Sequence, residues 1–252
     1  MWKLLYSWAS PKLFYHRAGQ YYPWLLRLAF SAIAVGMVWG LFFVPADYQQ
    51  GDAFRMIYVH VPCAFLSLSL YVVLAFLSVL IWVWRIKLAG VMLILCAEMG
   101  LMMTALALVT GSIWGKPMWG TWWVWDARLT SELVLFLLYA AIVAMYYAYE
   151  HHDRAERLVA ILVLIGLIDL PIIHYSVIWW NTLHQGPTLL VFAKSRMHSS
   201  MLPPLFFMGS GLGFYCLGVM FMRAQSLVLW RERRQQWVQG LICEGKDKCV
   251  RC

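Results

Sequence analysis

Six stretches of this chain are apolar for long enough to cross a lipid bilayer as helices: Tyr22–Val44, Val61–Trp84, Val91–Ile113, Leu133–Tyr149, Leu158–Ile178 and Met201–Met222. Each has 17–24 residues, and a helix of about 20 covers the hydrocarbon core. Helix is the conformation that satisfies every backbone N–H and C=O inside its own segment, which lipid demands. Barrel strands would read as short alternating runs, and none are present. Of the 252 residues, 63% are hydrophobic and 13% charged, against roughly half and a quarter in soluble domains. This excludes a soluble globular protein, a disordered chain, a coiled coil and a nucleic-acid module. The spans use about half of the chain, which leaves no room for a sizeable soluble domain. The expected fold is therefore an all-α membrane protein with six transmembrane helices. It forms one membrane domain, 1–222, with a short basic tail, 223–252, and no internal repeat.

Charge sets the expected orientation. The net charge is +8 and the pI about 9.3. In a soluble protein this would suggest a nucleic-acid partner. Here the placement of Lys and Arg matters more than their sum. Segments 1–21, 85–90, 150–157 and 223–252 hold fourteen of them, and segments 45–60, 114–132 and 179–200 hold five. The positive-inside rule then puts both termini in the cytoplasm and the other three loops outside. The first 20 residues lack a signal peptide's short apolar core and cleavage site, so the first span is expected to remain as an anchor.

Six cysteines do not build a disulfide framework. Cys63, Cys96 and Cys216 fall in spans, and Cys243, Cys249 and Cys252 fall in a segment expected in the reducing cytoplasm. Cys249-x-x-Cys252 has metal-ligand spacing, but a single pair at a chain end is a weak signal.

The three outer loops carry most of the unusual residues. The second holds five tryptophans, Trp114, Trp119, Trp122, Trp123 and Trp125, followed by Asp126 and Arg128. An interfacial aromatic belt places about one Trp at a helix end, and the other ten tryptophans scatter in that way. Five in one loop exceed it. A Trp-rich segment punctuated by Gly115 and Gly120 suits a flat, apolar, polarisable ligand, because each ring buries a large planar face and glycine lets backbone approach closely. Carbohydrate or a quaternary amine can also sit on tryptophan, so the loop alone leaves the ligand open.

Two histidines bracket this loop on the same face. His60 sits where the second span begins, and His184 lies in the third outer loop, Trp179-Trp180-Asn-Thr-Leu-His184-Gln-Gly-Pro187. A single interfacial His is usually a solvated or capping residue. Two of them beside an aromatic platform suit a porphyrin, which takes axial ligands above and below its ring. Its anionic propionates pair with Arg, and Arg55 and Arg128 lie on the same face. His16, His151, His152 and His198 read as solvated surface residues. His174, three residues after Pro171, reads as bonded to the carbonyl that Pro171 frees. Two acids, Glu98 and Asp169, sit inside spans, where carboxylates face the bundle interior or a partner. Arg27 is the candidate partner of Glu98.

Trp119-Gly-Thr-Trp122-Trp123-Val-Trp125-Asp126 resembles the tryptophan-rich WWD signature of heme-handling proteins. The chain as a whole resembles the CcmC-type proteins of the system I cytochrome c maturation pathway. The resemblance is carried also by Pro45-Ala-Asp-Tyr-Gln-Gln50, Tyr58-Val-His60-Val-Pro62, Thr110-Gly-Ser-Ile-Trp-Gly-Lys-Pro117, the stretch up to Glu132, Leu170-Pro-Ile-Ile-His-Tyr-Ser176 and Trp179–Gly186. It runs from the first span to the sixth, and the Cys-containing tail after Arg234 is not part of it. The resemblance implies six spans in the bacterial inner membrane, with the WWD loop (114–132) in the periplasm. It implies heme b held by the loop, with His60 and His184 as the two axial iron ligands. It also implies partners. The periplasmic heme chaperone CcmE receives the heme and captures a vinyl group through its own His. The ABC transporter subunits CcmA and CcmB and the small membrane protein CcmD sit alongside. This chain has no P-loop of its own, so it is expected to be a heme-handling protein rather than an enzyme, with membrane lipid around it and no nucleic-acid partner.

Three rivals arise at this stage, and the Trp-rich loop argues against one of them, a purely structural subunit of an ABC complex, since scaffolding needs no such platform. A quinol-oxidising membrane cytochrome needs His ligands within spans, and His174 is the lone one there. A transporter that itself moves heme or an ion would use Glu98 and Asp169, and would be expected to show interrupted helices in matching positions. Pro171 lies in the fifth span, and the second shows no matching break.

Overall fold

The computed structural model describes residues 9–184, 186 and 197–241, and the Cys249-x-x-Cys252 pair lies outside them. The described chain forms helices α1 (Pro11–Phe42), α2 (Ile57–Val79), α3 (Lys87–Trp119), α4 (Ala127–Ala148), α5 (His152–Gly166), α6 (Asp169–Trp179) and α7 (Leu202–Arg231). A 3-10 turn, Asp52–Met56, leads into α2, and a π-helical turn, Leu80–Trp84, continues it. Among the described residues, six helical units are long and apolar enough to cross a membrane, with α5 and α6 together making the fifth.

Each apolar stretch is found as a helix, but the helices outlast the stretches. The fourth begins at Ala127 rather than Leu133, because Asp126 caps it: its Oδ1 accepts the Leu129 N–H at 2.8 Å. Arg128 and Glu132 are thereby helical. The third runs on to Trp119 and stops where Gly120 takes a left-handed conformation, φ 76°. Trp114 and Trp119, expected in a loop, therefore stand on its last turns, and the true connection is 120–126. The sixth continues past Met222 to Arg231, and the segment 236–241 folds back so that Trp237 meets Tyr15 at 5.8 Å between ring centroids. The fifth breaks at residues 167–168. Pro171 then lies in the first turn of α6, where no intrahelical N–H is required. It frees no interior carbonyl for His174, whose ring instead lies exposed and edge-on to Tyr175.

Helix α3 is the most buried of the six units and packs against α2, α4 and α7, while α1 lies along α7. Lipid supplies no hydrophobic drive between helices, so close backbone approach at small residues does the work. A Cβ on Gly211 would stand 2.8 Å from Ile33 Cγ1 and 3.0 Å from its backbone nitrogen, and one on Gly36 would meet Met208 at 2.9 Å. Gly100 on α3 likewise receives the buried Tyr139 ring of α4. The loops at 43–56 and 120–126 and the segment after α6 gather at one end of this bundle. The turns at 85–86 and 149–151 and the end of α7 gather at the other.

Candidate functional site

The first loop supplies a rigid rim. Asp47 Oδ1 accepts the N–H groups of Gln49 and Gln50, each at 2.9 Å, and Asp47 pairs with Gly51 in a small antiparallel bridge. Gly51, at φ 56°, permits the reversal. This fixes Gln50, whose Oε1 accepts the indole N–H of Trp114 at 3.1 Å. Arg55 donates from Nε to Asp52 Oδ1 at 2.9 Å and from Nη1 to the Gly40 carbonyl at 2.6 Å. It thus ties the loop to the end of α1.

Behind the rim lies a cleft of about 750 Å³, counting space open to solvent. Helical spacing builds its walls. Ala107, Gly111, Trp114, Gly115, Met118 and Trp119 fall on one stripe of α3, His60 and Ala64 on one face of α2, and Arg128, Leu129 and Glu132 on one face of α4. Trp123 from the connection and His184 beyond α6 complete it.

His60 Nδ1 lies 3.0 Å from the Ala107 carbonyl. A carbonyl only accepts, so Nδ1 carries the proton and the lone pair is on Nε2, the arrangement common in metal-binding imidazoles. Gly111 makes room for this ring: a Cβ there would stand 2.9 Å from His60 Cε1. The His60 and His184 ring centroids are 6.4 Å apart, tilted by 42°. Trp114 meets His60 edge-on at 5.7 Å, and Trp119 lies 6.4 Å from His184.

Of the residues expected from sequence, the fold brings His60, His184, Trp114, Trp119, Trp123 and Arg128 onto one lining. Arg128 donates from Nη1 to the Ile173 carbonyl at 2.6 Å. The indole N–H of Trp123 is buried with no acceptor among the described residues. Four expected residues lie off the lining. Trp122 is exposed beneath Lys116 Nζ, 5.9 Å from its ring centroid. Trp125 is exposed with its ring against Trp123 at 5.5 Å. Asp126 caps α4, and Arg55 is engaged in the rim.

Glu132 is the lining residue that sequence reading passed over as a candidate. It is 8% exposed, and its Oε1 accepts the Ser67 hydroxyl at 3.0 Å. Its signal was present, an acid one turn after Arg128 at the edge of an apolar run, but it fell just outside the stretch beginning at Leu133. The other intramembrane acids lie elsewhere. Glu98 pairs with Arg223 and accepts the Tyr147 hydroxyl at 2.6 Å. Arg27, expected to pair with Glu98, instead lies 4.7 Å over the Trp24 ring. Asp169 starts α6, outside the lining, with Oδ2 buried and unpartnered among the described residues.

Sequence comparison places this architecture. The family model described as CcmC, heme exporter protein C, matches residues 4–239. The chain is similar to heme exporter protein C of Escherichia coli (strain K12), 46% identical over 248 residues, which cover 98% of this chain and all of the relative. It is 44% identical over 241 residues to the protein of that name from Haemophilus influenzae, covering 96% and 98% of the two chains. It is 35% identical over 231 residues to that of Rhodobacter capsulatus, covering 91% and 95%. A match this long and this complete makes the chain a member of the CcmC, heme exporter protein C, family.

Proposed function

We propose that this chain binds heme in the cleft, with His60 and His184 as iron ligands, and presents it for covalent attachment to the heme chaperone CcmE. The cleft then faces the periplasm from the bacterial inner membrane, both termini are cytoplasmic, and the work is done in an ABC complex with CcmA, CcmB and CcmD. Heme is cargo in this reading, and the chain is a carrier rather than an enzyme.

One observation carries the proposal, the 6.4 Å between the two imidazole centroids. Metal–imidazole bonds of about 2.0–2.1 Å put two rings on one metal at roughly 6–6.5 Å between centroids. Other features support heme as the metal's carrier. Among the described residues no group of three or more His, Cys, Asp or Glu converges. A bare ion would find only two protein ligands, whereas a porphyrin brings its own equatorial nitrogens. Trp114, Trp119 and Trp123 offer apolar faces, and Arg128 and the unpartnered Trp123 N–H offer donors to carboxylates. The Ala107 carbonyl fixes the His60 tautomer and so holds its ligating nitrogen ready. Two His ligands leave no open iron position, which suits holding and handover.

The test is the absorption spectrum of the chain purified in detergent. Wild type is expected to show a low-spin, two-His spectrum that disappears in the His60→Ala, His184→Ala double variant. Full heme retention in that variant overturns the proposal.

A further inference from the structure

Arg128 and Glu132 stand one turn apart on α4, and both line the cleft. Opposite charges at this spacing commonly close on each other. Here they do not: among the described residues no nitrogen–oxygen approach within 4.0 Å joins them. Each is held by a neutral group instead, Arg128 by the Ile173 carbonyl and Glu132 by the Ser67 hydroxyl. A guanidinium has five N–H donors, and the carbonyl accepts from only one of its nitrogens. Among the described residues these are the sole permanent cation and the sole carboxylate on the lining. Away from bulk water their attraction is weakly screened. A ligand carboxylate reaching Arg128 therefore meets the Glu132 charge one turn away.

We propose that Glu132 is an internal competitor for Arg128, a positioning carboxylate that weakens the cleft's hold on a carboxylate-bearing porphyrin and keeps that cargo exchangeable. The inference rests on the heme-holding reading above. A carrier that must give up its ligand gains from an open ion pair: the cation is available to guide the propionate in, and the neighbouring anion prevents a permanent lock.

The experiment titrates the full chain in detergent with iron mesoporphyrin and with its dimethyl ester, which lacks the carboxylates, following the Soret band. Glu132→Gln keeps an oxygen for Ser67 to donate to but loses the charge. It is expected to bind the diacid about tenfold tighter, with the ester unchanged within about twofold. Adding Arg128→Gln is expected to erase the difference between acid and ester. Ser67→Ala, which removes the hydroxyl's hydrogen bond to Glu132 and leaves the charge, is expected to move both ligands alike. An acid-to-ester ratio in Glu132→Gln equal to wild type overturns the inference while leaving heme binding intact. A wild-type chain that takes neither porphyrin overturns both readings.

Discussion

At the end of the bundle away from the cleft, Glu156 and Arg231 meet directly, Arg231 Nη1 lying 2.6 Å from Glu156 Oε1. Arg231 also donates to the Tyr146 hydroxyl, so this pair binds α5, α7 and α4 together. The carboxylate is seated on Gly90 of α3, where a Cβ would stand 2.0 Å from Oε2. In the cleft, Arg128 and Glu132 carry the same two charges on one helix and stay apart. The difference separates two uses of buried charge. A closed pair, with its two charges in direct contact, fixes helices. An open pair held by neutral groups costs more to keep in a low-dielectric setting, and the return is a cation available for binding.

The comparison breaks most visibly at the closed pair. Glu156→Ala leaves Arg231 without its counter-charge and is expected to cost about 3 kcal/mol. Thermal unfolding in detergent reads this, while heme affinity per folded molecule should stay at wild type. A parallel loss of affinity in the folded fraction would mean that the two ends are not independent. Gly111→Val makes the opposite cut. Its side chain overlaps His60, so heme affinity should fall roughly 100-fold, about 2.7 kcal/mol, with little change in unfolding temperature. An unaltered low-spin spectrum would show that His60 need not hold its present place.

Smaller effects sharpen the boundary of the site. Trp114→Phe keeps an aromatic face but loses the hydrogen bond to Gln50, and should weaken heme binding by about 1 kcal/mol. Trp122→Ala removes an exposed ring off the lining. It should change heme affinity by less than about twofold and stability by no more than about 0.5 kcal/mol. A large effect on transfer to the chaperone with heme affinity unchanged would assign Trp122 and Trp125 to the partner's docking surface rather than to the cleft.

Much of this could be read along the chain. Six apolar runs define six spans because hydrophobicity is a property of each residue, summed over a length that the bilayer sets. The cluster Trp114–Trp125 and the bracketing His60 and His184 were visible for a similar reason: their composition exceeds what an interface needs. The same additive reading misjudged helix ends. Charges at Arg128 and Glu132 cut the fourth run short, although Asp126 as a cap starts the helix before them. It also misassigned partners. Arg27 was close enough in expected depth to pair with Glu98, but the residue that does so is Arg223, 125 positions away.

Sequence by itself thus determined the number of spans, the helical class and most residue types of the candidate site. Tertiary structure alone decided which tryptophans face the cleft, which arginine lines it, that Glu132 stands beside that arginine, and that the two His rings lie 6.4 Å apart. The reason is that partition into lipid depends on each side chain separately, whereas these choices depend on helix rotation and on close approach at single glycines such as Gly111 and Gly90. Residues far apart in the chain set both.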